Sequence, residues 1–177
     1  MKARAGAGRA LAFLTVVGVG FAAVPVRGGE RPEVPHSLAL AAGWFDFNRQ
    51  KAEAAELRLE YRSGRPFGGF RPLAGILTTT DRAFYGYAGL GFDWFLGQSL
   101  VVTPSFAPGL YARGDGKDLG HVVEFRSQLE VAYRFRNRSR LGLSVSHISN
   151  ASLGQRNPGT ESLMLNYEVP LRRLFGP

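Results

Sequence analysis

The feature that most constrains this chain is a strict alternation of charged and apolar residues. In "AELRLEYR" (55–62), Leu57, Leu59 and Tyr61 alternate with Glu56, Arg58, Glu60 and Arg62. From 123 to 135, Val123, Phe125, Leu129, Val131, Tyr133 and Phe135 share one face, and Glu124, Arg126, Gln128, Glu130 and Arg134 share the other. Side chains two apart in a strand point the same way, so a period of two means a sheet with one apolar and one charged face. A soluble sandwich or barrel turns the apolar face inward. A membrane barrel turns it toward lipid and keeps the charged face in the lumen, where Glu and Arg pair across a narrow bore. Alternation alone does not separate the two.

The strand count narrows the choice. Eight segments carry strand patterns: Ser37–Phe47, Ala54–Arg62, Phe67–Thr79, Ala83–Phe95, Leu100–Tyr111, His121–Phe135, Arg138–Ser149 and Glu161–Val169. Gly, Pro, Asn and Asp cluster between them, as turns require. Eight strands of about ten residues suit a transmembrane barrel, and the 13 Phe, 6 Tyr and 2 Trp suit its lipid-facing wall. The expectation is an all-β, eight-stranded antiparallel transmembrane β-barrel of the bacterial outer membrane. With eight strands both termini lie on the periplasmic side. The connections "SGRP", "LGQS" and "RNR" are the short periplasmic turns, and "NRQKAE", "ARGDGKDLG" and "NASLGQRNPGT" are outer loops; "TTDR" is short where a long loop is expected.

Export is expected from the first residues. Lys2, Arg4 and Arg9 precede the apolar run Ala10–Val24 and then small residues, the order of a signal peptide. The reading is a signal over 1–23, with cleavage between 22 and 28, and a single barrel domain over 24–177. The absence of cysteine rules out a disulfide framework. Removing three cations from a formal charge of +8 leaves +5, which suits an anionic lipid surface; nucleic acid is not an expected partner of an exported chain.

The stretch "SVSHISNA" (144–151) carries the chemistry. Leu141, Leu143, Val145, His147 and Ser149 share one face, so an apolar row ends in a base and a nucleophile. Glu161 opens the last strand, heading the row Leu163, Leu165, Tyr167 and Val169. A hairpin through 150–160 brings the two row ends together. A serine hydroxyl needs a base to take its proton and a third group to orient that base. Ser149, His147 and Glu161 are therefore the candidate catalytic residues. Asn150 and Asn157, with backbone amides near Ala151 and Gly154, are candidate oxyanion donors. Arg156 is a candidate contact for lipid phosphate. Asp115, Asp118 and His121 offer too few oxygen ligands for a calcium loop. No metal or cofactor is implied.

"SHISNASLGQRNPGTES" resembles the signature of the lipid A 3-O-deacylase (PagL) family: His-x-Ser-Asn-Ala, then Asn-Pro-Gly, then a Glu opening the last strand. The matching positions are His147, Ser149, Asn150, Ala151, Asn157, Pro158, Gly159 and Glu161. "GWFDF", "LEYR", "RPLAG", "YGYAGLG" and "LGHVVEFRSQLEVAYRF" are similar to the wider family. The resemblance implies a barrel with a lipid-facing Ser–His–Glu triad that removes the 3-hydroxyacyl chain ester-linked at position 3 of lipid A, a serine esterase of lipopolysaccharide modification. Its expected partners are lipid A as substrate, outer-membrane lipids and, in a homodimer, a second copy of the chain. Three other readings stay open on the residues alone: a non-catalytic structural or adhesive outer-membrane barrel, a soluble barrel with lipid in its lumen, and the same chemistry on another lipid ester, because a triad fixes the reaction and not the acyl donor.

Overall fold

A computed structural model describes residues 34–48 and 52–176. The signal peptide expected over 1–23, with its cleavage region, lies outside the described residues. Nine strands form one antiparallel sheet: β1 (Ser37–Phe45), β2 (Ala54–Arg62), β3 (Arg71–Thr79), β4 (Phe84–Gly91), β5 (Trp94–Leu96), β6 (Leu100–Ala112), β7 (Val123–Arg134), β8 (Arg140–Ser149) and β9 (Thr160–Pro170). Except for β4 and β5, each pairs with its neighbours in sequence, and β1 pairs with β9 to close the sheet on itself. Both β4 and β5 pair with β6. They are two pieces of one stave, so the barrel has the expected eight.

That stave is broken for a local reason. Phe84↔Ala112, Leu90↔Phe106 and Trp94↔Val102 all keep the same register, so nothing is inserted. The missing rungs are opposite Pro108 and Pro104 of β6. Phe92 N–H still donates to Pro104 O at 3.0 Å, but proline has no N–H to return. Other ends moved for equally local reasons. The third strand starts at Arg71 rather than Phe67, because Gly68 and Gly69 take φ of 58° and 88° and make a tight tip closed by a Phe67–Phe70 bridge. The first ends at Phe45, because Asp46 turns at φ 57°, and the seventh starts past Arg138 (φ 68°). A short helix, α1 (Leu171–Phe175), follows β9.

The alternation resolves as membrane-type. Leu40, Leu57, Leu110, Leu129, Leu143 and Leu165 stand exposed on the outside, whereas Glu56, Arg58, Glu60, Arg62, Glu124, Arg126 and Glu130 are buried inside. An apolar belt of this extent is not sustained by a soluble monomer, so the soluble lipid-binding barrel is excluded.

The lumen has two fillings. Toward the end that carries the termini it is ionic. Arg62 grips Glu130 with two nitrogens (2.7 and 3.2 Å) and also reaches Glu60 and Glu168. Arg71 and Arg140 tie Glu168 and Asp93 into the same set. At mid-height Arg126 donates to Glu60 (2.6 Å) and lies over the Tyr87 ring. Toward the opposite end Leu77, Tyr85, Tyr111, Ile148 and, from the β6–β7 loop, Leu119 pack as an apolar plug.

Candidate active site

In β8 the apolar row Leu141, Leu143 and Val145 faces outward, with half-exposed His147 and Ser149 above it, while Ile148 and Asn150 are buried on the inward face. Strand β9 pairs with β8 in a register that sets Glu161 directly opposite His147. Their side chains meet at 3.1 Å, His147 Nδ1 to Glu161 Oε1. A carboxylate accepts here from Nδ1–H, and in that tautomer Nε2 is the ring's acceptor. Ser149 lies two residues along the same face as His147, about 7 Å by strand geometry. Among the described residues no hydrogen bond joins them.

The barrel wall around this point is apolar and uneven. On one side the Phe125 ring, from the residue paired with Ser149, stacks on Phe106 with centroids 5.9 Å apart. On the other side Ala42, Gly43 and Ala55 leave a surface groove of about 640 Å³ walled by Trp44, Leu143, Leu163 and Leu165. Trp44 and Leu163 are cross-strand partners, and Leu163 is the next outward residue after Glu161. The groove thus begins beside the His–Glu pair and runs down the lipid-facing wall.

Behind the pair the outer loops are braced from inside. Asn150 is fully buried. Its Nδ2 donates to Leu119 O (2.9 Å) and Arg156 O (2.8 Å), its Oδ1 accepts from Ser152 N–H, and its own N–H donates to Asn157 Oδ1. The Asn150 side chain is thus committed to shaping the loop, and Asn157 uses its carbonyl oxygen there. Ala151 and Ser152 both take positive φ, 51° and 66°. Consecutive non-glycine residues in that region cost roughly 1–3 kcal/mol each, and such strain collects at functional sites. Gly154 packs against Gly120 O. Arg156, offered above as a phosphate contact, donates to Asp118 at 2.8 Å on the exposed surface.

Three contributors had no role assigned from the sequence. Gly159 (φ 59°) lies against the imidazole: a Cβ there would come within 2.8 Å of His147 Cε1. Asp46, fully buried, accepts from Lys117 Nζ, Thr160 Oγ1 (3.2 Å) and Ala52 N–H. It ties the β1–β2 and β6–β7 loops to the residue before Glu161. Leu119, in a segment read only as an outer loop, is the stopper over the lumen. Positive φ and loop closure leave no periodic trace. The Asn-Pro-Gly run was the only available signal, and it marked Gly159 alone.

Comparison with known proteins follows this geometry. The family model described as Lipid A 3-O-deacylase (PagL) matches residues 39–170. Two curated relatives are the Lipid A deacylase PagL of Pseudomonas aeruginosa, 30% identical over 87 residues, and that of Bordetella bronchiseptica, 24% identical over 78. The matches cover 49% and 43% of this chain and 48% and 44% of the relatives, so the chain spans about half the length of the curated relatives it matches. Among solved structures, the crystal structure of the outer membrane enzyme PagL superposes with a TM-score of 0.62 at 21% identity, covering 76% of this chain and 99% of that one. A de novo designed transmembrane β-barrel follows at 0.54 and 10% identity, covering 80% and 100%. Both likenesses concern the fold.

Proposed function

The chain belongs to the lipid A 3-O-deacylase (PagL) family, and from that premise we propose that it is an outer-membrane ester hydrolase. It removes the 3-hydroxyacyl chain at position 3 of lipid A, using Ser149 as nucleophile, His147 as base and Glu161 as orienting acid. The observation that carries the reading is the His147–Glu161 hydrogen bond on the outer wall of the barrel, at the top of an apolar row that ends in Ser149. A carboxylate bonded to one imidazole nitrogen holds the tautomer that lets the other accept a proton, and it stabilises the imidazolium that follows.

The steps balance without a cofactor. Ser149 Oγ attacks the ester carbonyl as its proton passes to His147 Nε2. The tetrahedral oxyanion is held by N–H donors of the 150–159 loop, the Ala151 backbone amide and the Asn157 side chain being our candidates; Asn150 supports them by shaping the loop. Collapse breaks the bond to the sugar oxygen, which leaves with the proton from His147. Water, deprotonated by His147, then cleaves the acyl-enzyme and frees the hydroxy fatty acid.

The location suits the substrate. A lipid ester sits just below the headgroups of a leaflet, so an enzyme embedded there needs its reactive atoms on the outer wall, not in its lumen. The groove walled by Trp44, Leu143, Leu163 and Leu165 offers an apolar bed for an acyl chain below the reacting carbonyl.

The test is mass spectrometry of lipid A from cells making the wild-type chain or Ser149→Ala. Loss of one hydroxyacyl chain from position 3 in the first and not in the second is expected. Unaltered lipid A in both, with the barrel assembled in the membrane and inactive on detergent-dispersed lipid A, overturns the reading in favour of a structural barrel.

A further inference from the structure

The two ends of the barrel are charged differently. At the outer end the cations have acids beside them: Arg82 with Asp115, Arg156 with Asp118, Lys117 with Asp46. At the end carrying the termini, every exposed charge among the described residues is an arginine. Arg65 lies in the β2–β3 turn, Arg136 in the β7–β8 turn, and Arg172 and Arg173 in α1. None of these four has a carboxylate partner among the described residues. The acids nearest to them, Asp93 and Glu168, point into the lumen and are bound by Arg140 and Arg71.

A second observation says what this rim meets. The two most exposed large apolar residues of the described chain are Phe175 (81%) and Phe67 (78%). Both are at this end, and both adjoin the arginines: Phe67 two residues from Arg65 on the glycine-bent tip, Phe175 two residues from Arg173 on α1. Phe70, Trp94, Tyr133 and Phe135 continue the aromatic ring, and the Arg134 guanidinium lies 5.5 Å from the centre of the Phe95 ring. An acidic protein would satisfy the arginines and leave the phenylalanines unaccounted for. The boundary between headgroups and acyl chains takes both, because rings settle at that depth while guanidinium groups reach the phosphates.

We propose that this rim binds anionic phospholipids, holding their headgroups against Arg65, Arg136, Arg172 and Arg173. The site is distinct from the hydrolytic one and takes a different lipid, in the opposite leaflet. Its partner carries a phosphodiester of net negative charge, which a guanidinium engages with two parallel N–H donors. The binding is electrostatic and reaches only about a Debye length, so it weakens with salt.

The chain supplies its own reporter. Of its two tryptophans, Trp44 lies at the outer end and Trp94 on this rim. The full-length Trp44→Phe protein is reconstituted in phosphatidylcholine vesicles doped with brominated phosphatidylglycerol or, in parallel, brominated phosphatidylcholine. We expect the anionic lipid to quench Trp94 several-fold more strongly at equal content. The preference should fall with salt and vanish in the quadruple variant Arg65→Gln, Arg136→Gln, Arg172→Gln, Arg173→Gln, whose folding is checked by the heat-dependent shift of its gel band. Equal quenching by the two lipids overturns the proposal. So does a preference that survives the four substitutions, or one reported by Trp44 in a Trp94→Phe protein. Arginine-dependent sedimentation with cell-wall sacculi, without a lipid preference, also overturns it and makes the wall the partner. Both vesicle leaflets contain the probe lipid and no ester hydrolysis is read, so the result stands apart from the orientation and activity proposed above.

Discussion

Two of the places where acids and bases meet in this barrel differ in kind, one inside the lumen and one on its outer wall. In the lumen Arg62 is held by Glu60, Glu130 and Glu168, all 2% exposed or less. Arg71 binds Glu168 as well, and Arg140 binds Asp93. On the wall a single pair, His147 and Glu161, is left 32% and 14% exposed. Charges withdrawn from water must find one another or cost several kcal/mol each. The set around Arg62 obeys that rule by mutual pairing, and its groups are spent on structure. The wall pair uses one ring nitrogen and leaves the other without a hydrogen-bond partner among the described residues. Similar residue chemistry thus meets two settings: a buried set in which Arg62 and its acids hold one another, and a part-exposed pair in which one ring nitrogen is left over.

Four substitutions would break or sharpen that contrast. The largest effect is expected of Glu161→Gln, which removes the charge that orients His147. Deacylation of lipid A, followed by mass spectrometry, should fall by up to about 10⁴-fold with the unfolding midpoint nearly unchanged. Next comes Arg62→Met, which leaves Glu130 without a cation and takes one from Glu60 and Glu168, which keep Arg126 and Arg71. It should cost about 3–5 kcal/mol in denaturant unfolding and leave the rate per folded molecule untouched. A lumen variant that lost rate but not stability would erase the distinction. Gly159→Ala comes third. It combines a φ of 59° with a Cβ 2.8 Å from the imidazole. A stability loss of about 1 kcal/mol should accompany a larger fall in kcat than in KM, because the ring is displaced. Smallest is Asp118→Asn. The Gly120 N–H, and then Arg156 and Arg113, hold the Asp118 carboxyl below the usual carboxylate range. A depressed value means that the tie is present at neutral pH and is lost only as pH falls through that lowered value. Amide exchange at Gly120 should therefore speed up in the variant, and in the wild type only below the ordinary carboxylate range.

Much of this was legible in the chain. The outward row Leu141, Leu143, Val145, His147 and Ser149, and its partner row headed by Glu161, were read from the period of two and lie where that period put them. The lumen residues from Glu56 to Arg62 and from Glu124 to Glu130 were read the same way. The break at Phe92–Asp93 was missed although its cause is in the sequence, because Pro104 and Pro108 act on a neighbouring strand through a register not known beforehand. Asn150 was read as an oxyanion donor. Its buried amide instead joins Leu119 and Arg156, residues 31 and 6 positions away along the chain.

The sequence by itself determined which side chains share a face, and hence a sheet with one ionic and one apolar face and a histidine and a serine at the end of an apolar row. That follows because strand periodicity is local: each residue's side is set by its immediate neighbours. Only the tertiary structure decided that Asp46, Lys117 and Thr160 meet, that Leu119 closes the lumen, and that Gly159 lies against His147. These contacts join outer loops far apart in sequence, and no local period records them. They exist because closing the sheet brings β1 and β9 side by side and forces the loops above them to share one small opening.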